Sequence, residues 1–303
     1  MKMSNYPLIS VIIPTYGRAE MLGRAIESIL KQTYSNIEVV VVNDNSKEST
    51  HYLATLAALR PYERDSRVKV ISDGENVGGS LARNKGIKAS SGEYISFLDD
   101  DDYYYRDKVE KQFADIVLQQ SDVSVCGMDR EINGEILSSK DGDAIVGDLP
   151  SFIVRGRAFT PMIFLKKEVA EDVGGFTKAA QFQDHIFMIK ILAKGFCVST
   201  IKDRLFVHVV HDGERITKKN INLINYNVRR EFENKHLHIL SSSQRKQYNF
   251  NYYLINARFY RDTKNFKEFI LNMLFSSKNI TNIYSFGEFF RVLLSYIIKW
   301  YYL

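Results

Sequence analysis

Short runs rich in valine and isoleucine alternate with helical apolar stripes along the first 128 residues. Apolar runs of this length are typical of buried strands. They cover residues 8–14, 37–42, 67–71, 94–98 and 123–126. Apolar residues recur at helical spacing over residues 20–33, 49–59, 80–91 and 106–120. Strands that alternate with helices predict the α/β class with a doubly wound, mostly parallel sheet.

The rest of the chain is less regular. Glycines make residues 129–160 loop-rich, and we expect this segment to connect elements over the face where the strands end. Further strands are predicted at 159–165, 196–201 and 205–210, and a helix at 184–194. Beyond Arg215 the chain has few prolines or glycines and many aromatics, which predicts helices to the end. The predicted domains are residues 1–214, with halves at 1–128 and 129–214, and a helical region at 215–303.

Basic residues are concentrated in the last part of the chain. Residues 215–303 hold 15 Lys and Arg against 5 Asp and Glu, although the whole chain has 41 against 36. A basic surface can meet anionic lipid, nucleic acid or a protein partner. Residues 289–303 are strongly apolar, but Arg291 and Lys299 interrupt a stretch already too short to span a bilayer. An interfacial helix and a helix packed on its neighbours suit this stretch equally well.

The two cysteines and the N-terminus bear on the cellular compartment. Cys126 and Cys197 lie in apolar runs and are predicted to be buried free thiols, not a disulfide framework. The N-terminal residues lack the pattern of a signal peptide. These features predict a cytoplasmic protein, with the basic region as a candidate peripheral contact at the inner face of the cell membrane.

Polar residues follow three of the predicted strands, after Pro14, Val42 and Leu98. Because the carboxyl ends of strands in an open α/β sheet carry the ligand crevice, these residues should converge on one site. The first strand is followed neither by a GxGxxG fingerprint nor by a GxxxxGK[ST] phosphate loop. The pattern therefore favours a nucleotide or phosphorylated ligand bound without either motif.

The third strand end is a run of four aspartates at 99–102. Adjacent carboxylates raise one another's pKa, and a divalent cation with oxygen ligands, Mg²⁺ or Mn²⁺, would compensate their charge. Asp99 and Asp101 would point the same way in an extended backbone. The alternative is a solvated acidic loop. A buried strand that runs directly into the aspartates favours the metal site.

Several segments, in this order and spacing, resemble the family 2 glycosyltransferases of GT-A fold. The segments are 10–16 (SVIIPTY), 42–46 (VNDNS), 76–78 with 82–84 (NVG and ARN) and 97–102 (FLDDDD). Later matches are 173–176 (VGGF), 183–184 (QD), 192–196 (LAKGF) and 211–217 (HDGERIT). The resemblance covers residues 8 to about 217 and leaves the C-terminal third uncovered. It implies that residues 1–214 form a GT-A catalytic domain, with a nucleotide half and an acceptor half.

The resemblance also implies roles for single residues. Asp44 would accept hydrogen bonds from the nucleobase or ribose, Asp99 would lie near the ribose, and Asp101 would hold a metal that bridges the diphosphate. His211 would contact the metal or the diphosphate, and Asp184 occupies the position of the catalytic base. The nucleotide-sugar-binding residues so implied are Pro14, Thr15, Tyr16, Arg18, Asp44, Asn76, Gly78, Arg83, Asp99 and Asp100.

Each of these residues also has a structural interpretation. Asp44 could cap the following helix, and Arg83 could be a helix-surface arginine. Asp184 could be a first-turn acid of its helix. His211 or His208 could be a strand-end histidine with ordinary hydrogen bonds. The family context favours the functional interpretation of Asp44, Arg83, Asp184 and His211.

The chain departs from the family pattern in two places. Gln183 stands where a glutamate is common, although the base position beside it is kept. The Gln-x-x-Arg-Trp motif of processive members is missing, since the one tryptophan is Trp300. We therefore expect a non-processive enzyme. A catalytically weak nucleotide-sugar-binding or scaffold protein of the same fold is the alternative, and nucleotidyl transfer fits the residues after Pro14 poorly.

The implied reaction is sugar transfer with inversion, assisted by Mn²⁺ or Mg²⁺. The donor would be a nucleoside-diphosphate sugar, and UDP is adopted because it is the family's commonest nucleotide. The acceptor would be a saccharide or lipid-linked saccharide in surface polysaccharide biosynthesis. The helical region is expected to contact the membrane or a second copy of the chain, and no nucleic-acid partner is expected.

Overall fold

The computed structural model describes residues 6–211 and 223–301, and the side chains of the last helix up to residue 296. The chain divides into two compact units. The first is formed by residues 1–147 and 157–213, and the second by residues 148–156 and 214–303. Each unit is described by itself below.

All nine strands found in the described residues belong to the first unit. They are β1 (Ile9–Thr15), β2 (Ile37–Asn43), β3 (Val68–Ile71), β4 (Tyr94–Phe97), β5 (Tyr103–Tyr104), β6 (Val123–Ile132), β7 (Glu135–Leu137), β8 (Ile163–Lys166) and β9 (Val198–Val210). The helices of the chain are α1 (Ala19–Leu30), α2 (Thr50–Leu59), α3 (Gly79–Ala89), α4 (Lys108–Gln119), α5 (Leu149–Arg155), α6 (Lys167–Asp172), α7 (Gln183–Ala193), α8 (Leu223–Asn234), α9 (Ser242–Asp262), α10 (Phe266–Ser277) and α11 (Ile283–Tyr301). The strands and helices predicted before residue 128 all form, within a few residues of the expected ends.

The strands form one sheet in the order β3-β2-β1-β4-β8-β6-β9-β5, with β7 paired to β6. The first four strands of this order are parallel. β8 then lies antiparallel to both β4 and β6. The α/β class is confirmed, and the sheet is mixed where the sequence predicted a mostly parallel one. The antiparallel pairs are β8 with β4 and with β6, β7 with β6, and β5 with β9. The neighbours of β8 are distant from it in sequence, so local patterns could not reveal its place.

The parallel strands place three predicted polar segments at one edge of the sheet. Thr15, at the end of β1, pairs with Asn43 at the end of β2. On the other side of β1, Ile12 pairs with Phe97, the last residue of β4. The apolar residues of β1, β2 and β4 are buried, as a sheet covered on both faces requires, whereas the edge strand β3 is partly exposed. The residues after β1, β2 and β4 therefore converge, as the sequence predicted.

Helix α3 packs closely on β1 at Gly86. A Cβ atom at Gly86 would lie 2.3 Å from Cγ2 of Ile12, which no real pair of atoms tolerates. Interiors are packed too densely for Ile12 to move away without cost. Gly86 thus sets the distance between α3 and the sheet, and with it the position of the site residues on α3.

We expect the substitution Gly86→Ala to lower the free energy of unfolding by about 1–3 kcal/mol, because it overpacks this contact. Gly23→Ala, in the middle of α1, is the matched control. Its Cβ would meet only the Tyr62 hydroxyl, at 3.6 Å. That change should be neutral or stabilise by up to about 1 kcal/mol through helix propensity. Urea denaturation measures both, and equal losses in the two variants would contradict the close approach.

Two sequence predictions in the first unit need correction. Residues 129–160 are less irregular than expected, because β6 continues to Ile132, turns through two residues of positive φ into β7, and α5 follows. The strands expected at 196–201 and 205–210 are one strand, β9. The charged residues 202–204, which lie between the two predicted strands, belong to β9 at a register shift opposite Gly127. Glycine there leaves room for the stem of Arg204, which lies 3.2 Å from where a Cβ would be.

The second unit is helical and has its own core. Helices α9, α10 and α11 pack together through Phe250, Leu254, Ala257, Phe269, Met273 and Val292. Ser241 caps α9 in a capping box with Gln244, and Asn265 caps α10. Helix α5 joins this unit through a hydrogen bond from Asn251 to the carbonyl of Val154, 3.0 Å long.

The prediction for Cys126 holds, since its side chain is buried. The prediction for Cys197 is wrong: the side chain is exposed, because the residue lies in the connection between α7 and β9 and not inside the strand. Over the described part of the chain, none of the helices combines the length and the apolarity needed to cross a bilayer.

Candidate active site

The four aspartates lie on a turn that follows β4. The amide of Asp102 donates to the carbonyl of Asp99 over 3.1 Å, so the segment is not extended. The alternation expected for Asp99 and Asp101 therefore does not apply. The turn directs the four carboxylates to different partners, and each has a distinct environment.

Asp100 is buried behind the turn and bound to the loop after β1. Arg18 donates to its Oδ1 over 2.8 Å, and the amide of Tyr16 donates to its Oδ2 over 3.2 Å. Burial raises the pKa of Asp100 to about 6, although the charge of Arg18 works against this shift. Asp100 thus fixes the loop that carries Tyr16 and Arg18 against the aspartate turn.

Asp101 and Asp102 each meet a histidine from the end of β9. Nε2 of His211 lies 2.9 Å from Oδ2 of Asp101, and Nδ1 of His208 lies 3.1 Å from Asp102. Burial opposes ionisation of Asp101, but the charge of Arg18 and the bond to His211 hold its pKa below the ordinary value. Burial raises the pKa of Asp102 to about 7, although the bond to His208 opposes this shift. Burial also disfavours protonated His208, yet the bond to Asp102 prevails and raises the pKa of His208.

Three of these carboxylates form a donor set suited to a metal ion. Asp99, Asp101 and Asp102 each offer one oxygen, and these oxygens lie within 4.8 Å of one another. Hard oxygen ligands suit Mg²⁺ and Mn²⁺. Besides burial, the negative charges of Asp101 and Asp99 raise the pKa of Asp102, and a bound cation would offset this repulsion. The donor set therefore fits a divalent cation on both chemistry and charge.

Arg83 on α3 is buried beside Asp99. Its Nη2 donates to Oδ1 of Asp99. Its Nε and Nη1 are buried as well, and neither has a hydrogen-bond partner among the described residues. A buried guanidinium normally uses its donors, so these two nitrogens without partners point to an anionic ligand that would accept their hydrogen bonds.

Asp44 connects the ends of β2 and α3. Its two carboxylate oxygens accept from the amides of Val77 and Gly78, over 2.8 and 2.9 Å. Gly78 precedes α3 with a φ of 84°, a conformation that favours glycine. Burial raises the pKa of Asp44, and the two amide hydrogen bonds oppose the shift. Asp44 therefore shapes the loop before α3 and does not cap α2, whose N-cap is Ser49.

Asp184 lies in the first turn of α7. Its Oδ1 accepts from the amide of His185 over 2.8 Å. Burial raises the pKa of Asp184. The positive charge of Arg83 opposes this shift, and the negative charge of Asp99 adds to it. The charges of Arg83 and Asp99 therefore both act on the carboxyl group of Asp184. Its neighbour Gln183 accepts a hydrogen bond from Ser80 over 2.6 Å and so ties α7 to α3.

The remaining predicted site residues lie at the end of β1 and in the loops that follow β1 and precede α3. Pro14 and Thr15 end β1, Tyr16 is exposed after it, and Asn76 is exposed in the loop before α3. The roles of all these residues toward a ligand stay predictions.

Sequence reasoning missed two residues of the cluster and set aside a third. Asp102 is a member of the donor set, and its place in the aspartate run was the available signal. Arg24 on α1 donates to the carbonyl of Asp101 over 3.3 Å, and its guanidinium lies 4.7 Å from the centre of the Tyr103 ring. No motif marked Arg24. His208 was weighed against His211 and passed over, although both histidines bind the aspartates.

Clustered carboxylates beside arginines, at the carboxyl ends of parallel strands, are the arrangement of α/β proteins that act on phosphorylated ligands. The chain belongs to glycosyl transferase family 2, whose family model matches residues 10–177. The motifs after β1, β2 and β4 and the start of α3 all lie within that range.

Two curated relatives each match little more than a third of the chain. Glycosyltransferase GlyA of Streptococcus pneumoniae is 40% identical over 117 residues, which are 39% of this chain and 16% of that protein. TuaG of Bacillus subtilis, assigned by its name to teichuronic acid biosynthesis, is 38% identical over 112 residues. This match covers 36% of the chain and 42% of TuaG. The chain thus spans less than half the length of either relative.

A solved structure extends the fold comparison to most of the chain. Residues 1–349 of TarS from S. aureus, crystallised with UDP-GlcNAc, align with a TM-score of 0.62 at 19% sequence identity. The alignment covers 89% of this chain and 91% of the TarS chain. The GT-A fold is therefore confirmed.

Proposed function

We propose that this glycosyltransferase moves a sugar from a nucleoside-diphosphate sugar to a hydroxyl group, with a divalent metal and with inversion at the anomeric carbon. The observation that carries the proposal is the site of Asp99, Asp101 and Asp102 beside Arg83. It combines a carboxylate donor set within 4.8 Å with a buried cation that has two nitrogens without partners. A metal-bound diphosphate would satisfy both features.

The donor is proposed to be a UDP-sugar. The crystallised complex of TarS with UDP-GlcNAc supports this choice by analogy of fold. The nucleoside would lie at the ends of β1 and β2, against Pro14, Thr15, Tyr16 and Asp44. Arg18 and Arg83 would lie on the diphosphate side, because they border the aspartates.

Asp99, Asp101 and Asp102 would hold Mn²⁺ or Mg²⁺, with His211 as a further contact. The ion would supply Lewis-acid stabilisation of the charge that develops on the diphosphate leaving group. Arg18 and Arg83 add positive charge at the same place. Because they are held by Asp100 and Asp99 before the donor binds, they need little reorganisation when the bond breaks.

Asp184 is proposed to be the general base. The acceptor hydroxyl attacks the anomeric carbon, its proton passes to Asp184, and the bond from that carbon to the diphosphate oxygen breaks. One carboxylate acting on the face opposite the leaving group gives a single displacement, hence inversion. The raised pKa of Asp184 makes it a stronger base than an ordinary aspartate.

The acceptor is proposed to be a saccharide or lipid-linked saccharide of a surface polysaccharide. The relationship to TuaG supports this pathway class by its name alone. A cytoplasmic location is proposed, because nucleotide sugars are made and used there in such pathways.

Arg83→Gln provides a separate test of the diphosphate position. We expect it to weaken UDP binding by about 10- to 100-fold, because a charge-assisted hydrogen bond contributes about 1.5–3 kcal/mol. Arg60→Gln, at the exposed end of α2, is the matched control and should bind UDP normally. Titration calorimetry with Mn²⁺ measures both. UMP, which lacks the second phosphate, should be less sensitive to the Arg83 change than UDP.

A panel of nucleotide sugars tests the proposed activity. With Mn²⁺, one UDP-sugar should bind and be slowly hydrolysed to UDP in the absence of acceptor, as seen by proton NMR. Binding of that donor without any turnover, including with saccharide acceptors, would favour the nucleotide-sugar-binding protein that the change to Gln183 suggests. Failure of the whole panel to bind would refute the proposed site.

A further inference from the structure

Helix α11 is apolar on two adjoining faces. One face packs into the core of the second unit through Val292, with Phe289 and Leu293 beside it. The other face is exposed and carries apolar residues at helical spacing. They are Ile283, Phe286, Phe290 and Leu294, with exposed fractions of 89%, 51%, 41% and 53%. The rings of Phe286 and Phe290 lie 4.6 Å apart, so this stripe is continuous along the helix.

Helix α10 repeats the same arrangement. Its inner face contributes Phe269 and Met273 to the core. Its outer face exposes Phe266, Ile270, Leu271, Leu274 and Phe275. A helix at the surface of a small bundle needs one apolar face. On the outer face, Phe275 stacks on Tyr253 and Phe266 lies against Tyr296, yet all five side chains remain exposed.

The two stripes belong to one packed body. Phe269 of α10 stacks on Tyr296 of α11 with ring centres 4.3 Å apart, and both helices pack on α9. Scattered exposed apolar residues are normal in proteins, but ordered rows on two adjoining helices are not. We call these nine exposed residues of α10 and α11 the apolar stripes.

Basic residues border the stripes. Lys267 and Lys278 are exposed at the two ends of α10, and Arg291 is exposed in the middle of α11. Arg291 also pairs with Glu288 on its own helix. The wider region 215–303 has 15 basic against 5 acidic residues. Apolar rows with a basic border complement a surface that is apolar inside and anionic outside.

We propose that the apolar stripes dock on an anionic lipid surface, with α10 and α11 lying in the headgroup region. Apolar side chains would enter the acyl boundary while Lys267, Lys278 and Arg291 contact lipid phosphates. A second copy of the chain fits less well, because it would bring two strongly basic regions together. The stripes share no residue with the aspartate site, so this docking and the proposed sugar transfer can each fail alone.

Vesicle co-sedimentation of the full chain tests the docking. The wild type should sediment with vesicles of phosphatidylcholine and phosphatidylglycerol, more weakly with phosphatidylcholine alone, and less as salt is raised. Phe286→Ser combined with Phe290→Ser should reduce the binding constant about tenfold or more, because each loses a buried aromatic side chain. Leu271→Ser combined with Leu274→Ser should reduce the binding constant for these vesicles to a similar extent.

Val117→Ser combined with Leu118→Ser is the matched control, since both residues are exposed on α4 of the first unit. It should sediment like the wild type. Circular dichroism should show the same helix content and unfolding midpoint in all variants, because every changed side chain is exposed. A wild type that ignores anionic vesicles would overturn the proposal. So would stripe variants that bind as well as the control, or light scattering that shows a dimer which the stripe changes dissociate.

Discussion

Asp101→Asn should lower kcat/KM for sugar transfer by about 10³-fold, since removal of a single electrostatic contact in an active site costs about 10²–10³ and the metal adds to it. Asp101 lies between Arg18 and His211 and belongs to the donor set with Asp99 and Asp102. Asparagine keeps the size of the aspartate side chain but removes its negative charge. The metal-dependent part of UDP binding should therefore disappear, which calorimetry with and without Mn²⁺ measures.

Stability separates this effect from misfolding. Because the folded state holds the pKa of Asp101 below its ordinary value, loss of this charge should lower the unfolding midpoint slightly, while unfolding stays cooperative. Asp172→Asn is the control, because Asp172 is an exposed carboxylate paired with Lys194. It should transfer sugar and bind UDP normally. An Asp101→Asn variant that retains Mn²⁺-dependent UDP binding would contradict the metal assignment.

Asp184→Asn should reduce kcat by about 10²–10⁴-fold while UDP-sugar binding stays near the wild-type value, because a general base acts on the acceptor proton and not on the donor. This split between turnover and binding separates a base from a residue that merely holds the helix. Asparagine can still accept the hydrogen bond from the amide of His185 through its side-chain carbonyl. The fold around α7 should therefore be kept.

The pH profile gives a second readout of Asp184. A base works only when deprotonated, so the rate should be full above its pKa and fall as the pH drops through it. Burial raises that pKa above the ordinary value of 3.8, so the acid limb should lie at a higher pH than for an exposed aspartate. The residual rate of Asp184→Asn should lack this limb. A variant with the wild-type rate or the wild-type limb would remove Asp184 from the mechanism.

The sequence predicted the parallel half of the fold well because its signals are local. The strands β1, β2 and β4 are runs of mostly apolar residues buried on both faces, and helices lie between the strands. The convergence of the residues after β1, β2 and β4 then follows from the rule that governs open α/β sheets.

The rest of the sheet, in which β8 pairs antiparallel and β9 runs parallel to β6, was harder to predict because these pairings depend on distant contacts. β8 lies between β4 and β6, strands far from it in sequence. The charged residues 202–204 lie between the two predicted strands, yet β9 passes through them with a register shift opposite Gly127. Only the fold reveals that a neighbouring strand accommodates the irregularity.

The site was predicted in its centre and missed at its edges. Four consecutive aspartates are visible in the sequence, but the turn that they form is not. This turn brings Asp102 into the donor set. His208 and Arg24 reach the aspartates from β9 and α1, so their roles exist only in three dimensions. The idle N–H groups of Arg83 are likewise a property of burial, which no motif states.

The most direct measurement is UDP release from the UDP-sugar that binds, with Mn²⁺, for the wild type, Asp101→Asn and Asp184→Asn, with donor affinity determined on the same samples. We expect the wild type to bind and turn over, Asp184→Asn to bind but turn over at least about a hundredfold more slowly, and Asp101→Asn to lose metal-dependent binding. Equal turnover in all three proteins, or binding with no turnover in any of them, would contradict a glycosyltransferase site built on Asp101 and Asp184.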